Sequence, residues 1–200
     1  MNMNAIRTTV LTAAVTGLTL ASLATATAAA APAPKFLSAG QLPAAGTPWT
    51  AEPVRKGLPE YGSVCTAGVV PASGSSYREF RTELDTTGRQ TTTVAATTAK
   101  AKALVAKIDQ RIAGCLDRLA EDGIIGEAFY HGRIDVEEGA DVYNVDTSHP
   151  EIGSADAQLI SVGRDGRTVT VLEIGHLGWT LSEELDPFRA STRTAVAKLY

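Results

Sequence analysis

Cysteine and histidine are scarce in this chain: two cysteines and three histidines among 200 residues, with aromatic side chains at 6%. Neither type occurs at metal-ligand spacing. His131, His149 and His176 form no H-x-x-x-H or H-E-x-x-H pair, and the cysteines are too far apart for a redox C-x-x-C. A G-x-S-x-G nucleophile elbow is absent. Gly153-Ser154 and Gly74-Ser75-Ser76 lie in polar, turn-like stretches. Gly123-Ile-Ile-Gly126 lacks both the phosphate-cradling pattern and a preceding strand. There is no excess of basic residues: 18 Lys and Arg against 22 Asp and Glu give a net charge of -4, which argues against nucleic acid and anionic membrane as partners. Beyond the first thirty residues no apolar run is long enough to cross a bilayer.

What is present begins with an export signal. Arg7 is the only charged group in residues 1–30, residues 10–23 are apolar apart from threonines, a serine and a glycine, and an alanine-rich tract follows with several A-x-A frames before Pro32. This predicts a Sec-type signal peptide over 1–30, cut after Ala28 or Ala30, and a secreted, extracellular chain. The alternative, an uncleaved anchor, needs about 20 predominantly apolar residues, and this segment is shorter and threonine-rich. Arg7 is not part of a twin-arginine pair, and no cysteine near the cut is available for lipidation, so no stable membrane anchor is expected in the mature chain. Loss of Arg7 takes the net charge from -4 to -5. Two cysteines in an exported chain predict one disulfide, Cys65 to Cys115, over two reduced, buried thiols.

Residues 31–71 are rich in proline, glycine and alanine, with Phe36, Leu37, Leu42, Trp49, Val54 and Leu58 as apolar anchors. They read as an irregular arm, with a short helix near 37–42, that wraps onto a body formed by 72–200. In that body, residues 77–84 alternate, with Phe80, Thr82 and Leu84 on one side. Residues 89–97 are rich in threonine and valine, and the two runs predict an antiparallel hairpin. The spacing of Leu104, Ile108, Ile112, Cys115 and Leu119 predicts a helix over 98–121, capped by Thr97 or Thr98 and stopped by Gly123, with Lys100, Lys107, Arg111 and Arg118 off its buried face. Strands follow over 127–136, 140–146, 157–163 and 168–174, the last two joined at Asp165-Gly166 and apolar on both faces, as central strands are. Asp186-Pro187 predicts the start of a last helix, with Asp as N-cap and Pro at the first position. The fold class is α+β: a mainly antiparallel sheet flanked by two helices, with the N-terminal arm stapled by one disulfide.

The opening Phe36-Leu-Ser-Ala-Gly-Gln-Leu-Pro43, the nearby Trp49-Thr50, Cys65 before a strand pair and a long helix carrying Cys115 together resemble the PknH-like extracellular sensor domain, found in secreted or lipid-anchored actinobacterial proteins and in receptor kinases. The resemblance runs from Phe36 to Tyr200. It implies an antiparallel sheet flanked by helices, a ligand-binding cleft and no enzymatic activity. Kinase-attached members typically have two disulfides where this chain can form one, and it carries no kinase domain.

The resulting expectation is a secreted, non-enzymatic ligand-binding or sensor-like domain without cofactor or metal. Its partner would be a small molecule, a wall component or an exported protein, bound near the ends of the central strands at His176, Gly178 and Trp179. His176 lies in Ile174-Gly-His-Leu-Gly178, a glycine-flanked strand end. One alternative is a small secreted hydrolase using His176 or His131, with Glu173 or Asp135 as the carboxylate. Another is an exported interaction or inhibitor protein. The acidic run Asp135, Glu137, Glu138, Asp141 and Asp146 could serve a calcium ion, but its spacing is not that of an EF-hand and a solvated hairpin tip is the simpler reading. Trp49 and Trp179 read most simply as core or arm anchors, with Trp179 beside His176 able to line a cleft.

Overall fold

The computed structural model describes residues 33–180 and 182–200, all within the compact unit Pro32–Tyr200. The predicted signal peptide and its cleavage site lie outside the described residues. The described residues form an antiparallel eight-stranded sheet with three α-helices. In chain order these are β1 (Thr50–Ala51), β2 (Arg55–Lys56), β3 (Ser75–Arg81), β4 (Thr87–Val94), α1 (Thr98–Ala113), α2 (Cys115–Ala120), β5 (Ile125–Ile134), β6 (Ala140–His149), β7 (Ser154–Asp165), β8 (Thr168–Leu177) and α3 (Ser182–Ala197). The sheet runs β1-β3-β4-β8-β7-β6-β5, with β2 also on β3. The doubly apolar β7 and β8 therefore sit centrally, as their composition requires. Among the described residues no helix is long and apolar enough to cross a membrane.

Because side chains alternate along each strand, the sheet carries a core on both faces. On one face Leu172 and Ile174 pack with Phe80 and Val142 beneath Phe188 and Val196 of α3, and the arm contributes Leu37 and Leu42. On the other, Ile160, Val162, Val169 and Val171 lie beneath Leu104, Ile108 and Ile112 of α1. α3 approaches β7 at Gly163, where a Cβ would stand 2.3 Å from a Val196 methyl carbon, so the helix can lie that close only over glycine.

The arm, residues 33–71, is largely irregular, with a 3-10 turn at Ala39–Gln41 inside the stretch expected to hold a short helix, and it also supplies β1 and β2. It is tied to α3 by Ser191 Oγ donating to the Gln41 carbonyl (2.7 Å) and to β4 by Leu37 N–H donating to Gln90 Oε1 (2.8 Å). Its far end is held by the Cys65–Cys115 disulfide, both cysteines 1% exposed. Val54 and Leu58 are exposed and do not anchor it, and Leu84 is exposed because β3 ends at Arg81.

Two helix boundaries differ from expectation. The stretch 98–121 is two helices, interrupted at Gly114, whose lack of a side chain makes it a poor helix former. Thr97 is the N-cap of α1, its hydroxyl accepting from Lys100 N–H at 3.2 Å. The last helix starts at Ser182 rather than at Asp186-Pro187, and Pro187 stands inside it. The β7–β8 turn is centred on Gly166-Arg167, and only Gly166 takes a positive φ (54°).

Candidate functional site

At the end of β8, on the α3 face, lies an open cleft of about 630 Å³. Its floor is Leu159 and Ile174. Its walls are Trp49 and residues 43–46 of the arm, the β3–β4 turn at Asp85 and Thr86, and the first turns of α3 with Glu183, Glu184 and Pro187. His176, Leu177 and Trp179 complete it. Trp49 is half-buried against the core and fixed by Nε1–H donating to the Pro43 carbonyl at 2.7 Å, whereas Trp179 is 52% exposed at the mouth. Gly178 does not line the cleft. With φ at 101°, a conformation open to glycine, it turns the chain so that Leu177 and Trp179 both border the cleft.

His176 is held at both nitrogens. Nδ1 lies 2.8 Å from the Leu177 carbonyl, which can only accept, so Nδ1 carries a hydrogen. Nε2 faces the Glu184 carboxylate at 3.1 Å. A lone pair there would confront a carboxylate, so this geometry favours the imidazolium. Burial of the ring opposes the charge, yet the Leu177 carbonyl together with Glu184 and Asp85 outweighs it and raises the pKa above the usual 6.5. A protonated, doubly engaged imidazole has no lone pair to serve as a general base. The turn beside it is fixed by Leu177 N–H donating to Asp85 Oδ2 at 2.9 Å.

The carboxylates paired with His176 on sequence grounds lie elsewhere. Glu173 is an odd number of residues from His176 along one strand, so it projects from the opposite face. There it binds the Arg89 guanidinium (2.7 Å) and accepts from Thr66 Oγ1 (2.7 Å). Asp135 is exposed beyond the end of β5. His131 meets Asn144 Oδ1 (2.5 Å) rather than a carboxylate. Nor do the acidic residues of 135–146 converge on one point. Asp141 accepts from Tyr130 Oη and Arg133 Nη1, Glu138 pairs with Arg164, and Asp146 accepts from Thr180 N–H and Oγ1.

One acid on the α1 face is strongly perturbed. Asp109 accepts from Tyr143 Oη at 3.1 Å, and burial, only partly offset by that bond, raises its pKa to about 6. Burial and the same carboxylate push Tyr143 upward. An acid whose pKa is higher folded than unfolded contributes its stabilisation below the unfolded value, 3.8, and loses it as pH rises through about 6. Asp109→Asn, which keeps an acceptor for Tyr143, should therefore stabilise the protein at pH 7 by about 1 kcal/mol after allowance for solvent screening, or roughly 2–4 °C in Tm. It should also remove part of the decline in stability between pH 4 and pH 6. Thermal scans of both proteins across that range test this, and equal Tm at pH 7 would refute the burial penalty.

Trp49, Asp85, Glu183 and Glu184 join the cleft without any local sequence signal that places them there. Asp85 is 91 positions from His176 and meets it only through the pairing of β4 with β8. Glu183 and Glu184 precede the Asp186-Pro187 helix start that the sequence predicts, but α3 contains them. No family model matches the chain, and no curated protein matches it.

Proposed function

We propose that the protein is an exported, non-enzymatic binding domain, of the sensor-like kind its resemblance to PknH-like domains implies, and that it takes a small organic cation in the cleft beside His176. The observation that carries this reading is the meeting of two tryptophans with three carboxylates, Asp85, Glu183 and Glu184, in a cleft that no lysine or arginine lines. A protonated His176 offsets one of these charges, and the lining is net negative whether or not the ring is protonated. Tryptophan faces attract cations, and the apolar floor at Leu159 and Ile174 suits a hydrocarbon body.

The test is a thermal-shift titration of the oxidised protein with choline and alkyl amines, alongside neutral sugars and carboxylic acids. A cation at about 100 times its Kd should add about 2.7 kcal/mol, a rise of roughly 5–10 °C. Trp179→Ala and Glu183→Gln should each weaken binding by about tenfold or more, consistent with a desolvated cation–π or charge contact. A shift with sugars or acids but not with amines, or one that survives both substitutions, would overturn the proposal.

A further inference from the structure

The chain is acidic overall, yet its basic residues are not evenly spread. Lys100, Lys107 and Arg111 project from one side of α1, Arg118 follows on α2, and Arg167 reaches the same side from the β7–β8 turn. They border two adjoining hollows that share Val69 and Lys107, one of about 740 Å³ toward Arg118 and one of about 670 Å³ toward Arg167. No acidic residue lines either hollow. The one carboxylate of α1, Asp109, is turned away toward Tyr143, and Asp117 of α2 is not among the lining residues.

The counter-charge is missing as well. Arg81, Arg89, Arg133 and Arg164 are each paired with a carboxylate, but among the described residues none of the five groove cations forms such a pair. Arg111 Nε is buried without a hydrogen-bond partner, and Arg118 is drawn against Arg111 by donating Nη2–H to its backbone carbonyl at 2.5 Å. Burial and the neighbouring Arg111 charge lower the Arg118 pKa and outweigh the opposing attraction of Asp117, so like charges are crowded here. From Lys100 to Arg111 the cations extend over about 16 Å of helix, too far for one small anion to span. The apolar lining is aliphatic, with Val69, Val94, Ala95 and Leu104 and no aromatic ring on which a base could stack.

We infer that the groove beside α1 is a second binding site, which takes an extended, non-aromatic polyanion of the phosphodiester type. Guanidinium forks match phosphate oxygens, and the lysines add point charges along the chain. The site is on the opposite sheet face from the cleft and stands or falls independently of it.

A synthetic glycerol-phosphate hexamer is the probe, titrated against the oxidised protein at several salt concentrations. If about four phosphates are neutralised, log K should fall with log salt at a slope of about -3. Arg111→Gln/Arg118→Gln should weaken binding at least tenfold and make the slope shallower by about 1.4. Arg55→Gln/Lys56→Gln on β2, which removes the same charge elsewhere, should leave both nearly unchanged. Should the arginine pair fail to fold, Lys107→Gln/Arg167→Gln carries the same expectation. Absence of binding at low salt, equal weakening by the β2 control, or an oligothymidylate of equal charge binding as tightly as the hexamer would each overturn the inference, the last in favour of nucleic acid.

Discussion

Replacing both cysteines, Cys65→Ala/Cys115→Ala, is expected to lower stability by about 4 kcal/mol, the chain-entropy cost of reopening a loop of about 50 residues. For a domain of this size that is roughly 8–16 °C in Tm. The disulfide joins the arm to the first residue of α2 and both sulfur-bearing side chains are buried, so alanine also leaves a small void, which adds to the loss. The fold should nevertheless survive at room temperature. Ser63 Oγ still donates to Gln158 Oε1 (2.8 Å) and Thr66 Oγ1 to Glu173, and neither bond needs the cross-link. The cleft lies on the other face of the sheet, so cation affinity should be unchanged while Tm falls. Differential scanning calorimetry with and without reductant, paired with ligand titration, separates the two. A fall of less than about 2 °C would mean that the non-covalent contacts hold the arm without the cross-link.

The fold was largely legible because its signals are local. Alternation over 77–81 and in the central strands sets which side chains face which core, and the spacing of Leu104, Ile108 and Ile112 marks the face that α1 buries. The disulfide followed from there being only two cysteines. Where the structure departs from the sequence pattern, the local signal does not specify position. A proline after aspartate suits the first turn of a helix, but α3 begins earlier and keeps Pro187 within it, which brings Glu183 and Glu184 into the cleft. His176 and Trp179 could be placed at a strand end, but their neighbours Trp49 and Asp85 arrive through the arm and the β3–β4 turn, and no local pattern encodes that meeting. The separation of Glu173 from His176 was, by contrast, available from the sequence, since an odd interval along a strand puts two side chains on opposite faces.

Glu173 supports the second large prediction. The residue is 5% exposed, and its carboxylate receives Nε–H and Nη2–H of Arg89 at 3.0 and 2.7 Å and accepts from Thr66, while Arg89 Nη1–H donates to the Tyr61 carbonyl at 2.6 Å. One buried pair thus holds the arm at residues 61 and 66 against β4 and β8. Glu173→Ala strips the Arg89 guanidinium, itself only 15% exposed, of its counter-charge and should cost about 3–5 kcal/mol, of the order of 10 °C in Tm. Burying two ions costs nearly as much as their attraction returns, so removing both should be far milder than removing one. Arg89→Met/Glu173→Leu is therefore expected to recover most of the lost stability, although Thr66 and the Tyr61 carbonyl each lose a partner. Urea denaturation of the single and double variants measures the coupling directly. If Glu173→Ala cost less than about 1 kcal/mol, water would have to reach the pair readily and the arm would be held by the disulfide and its apolar contacts. If the double variant were as unstable as the single, the two charges would act mainly through their separate bonds to the arm.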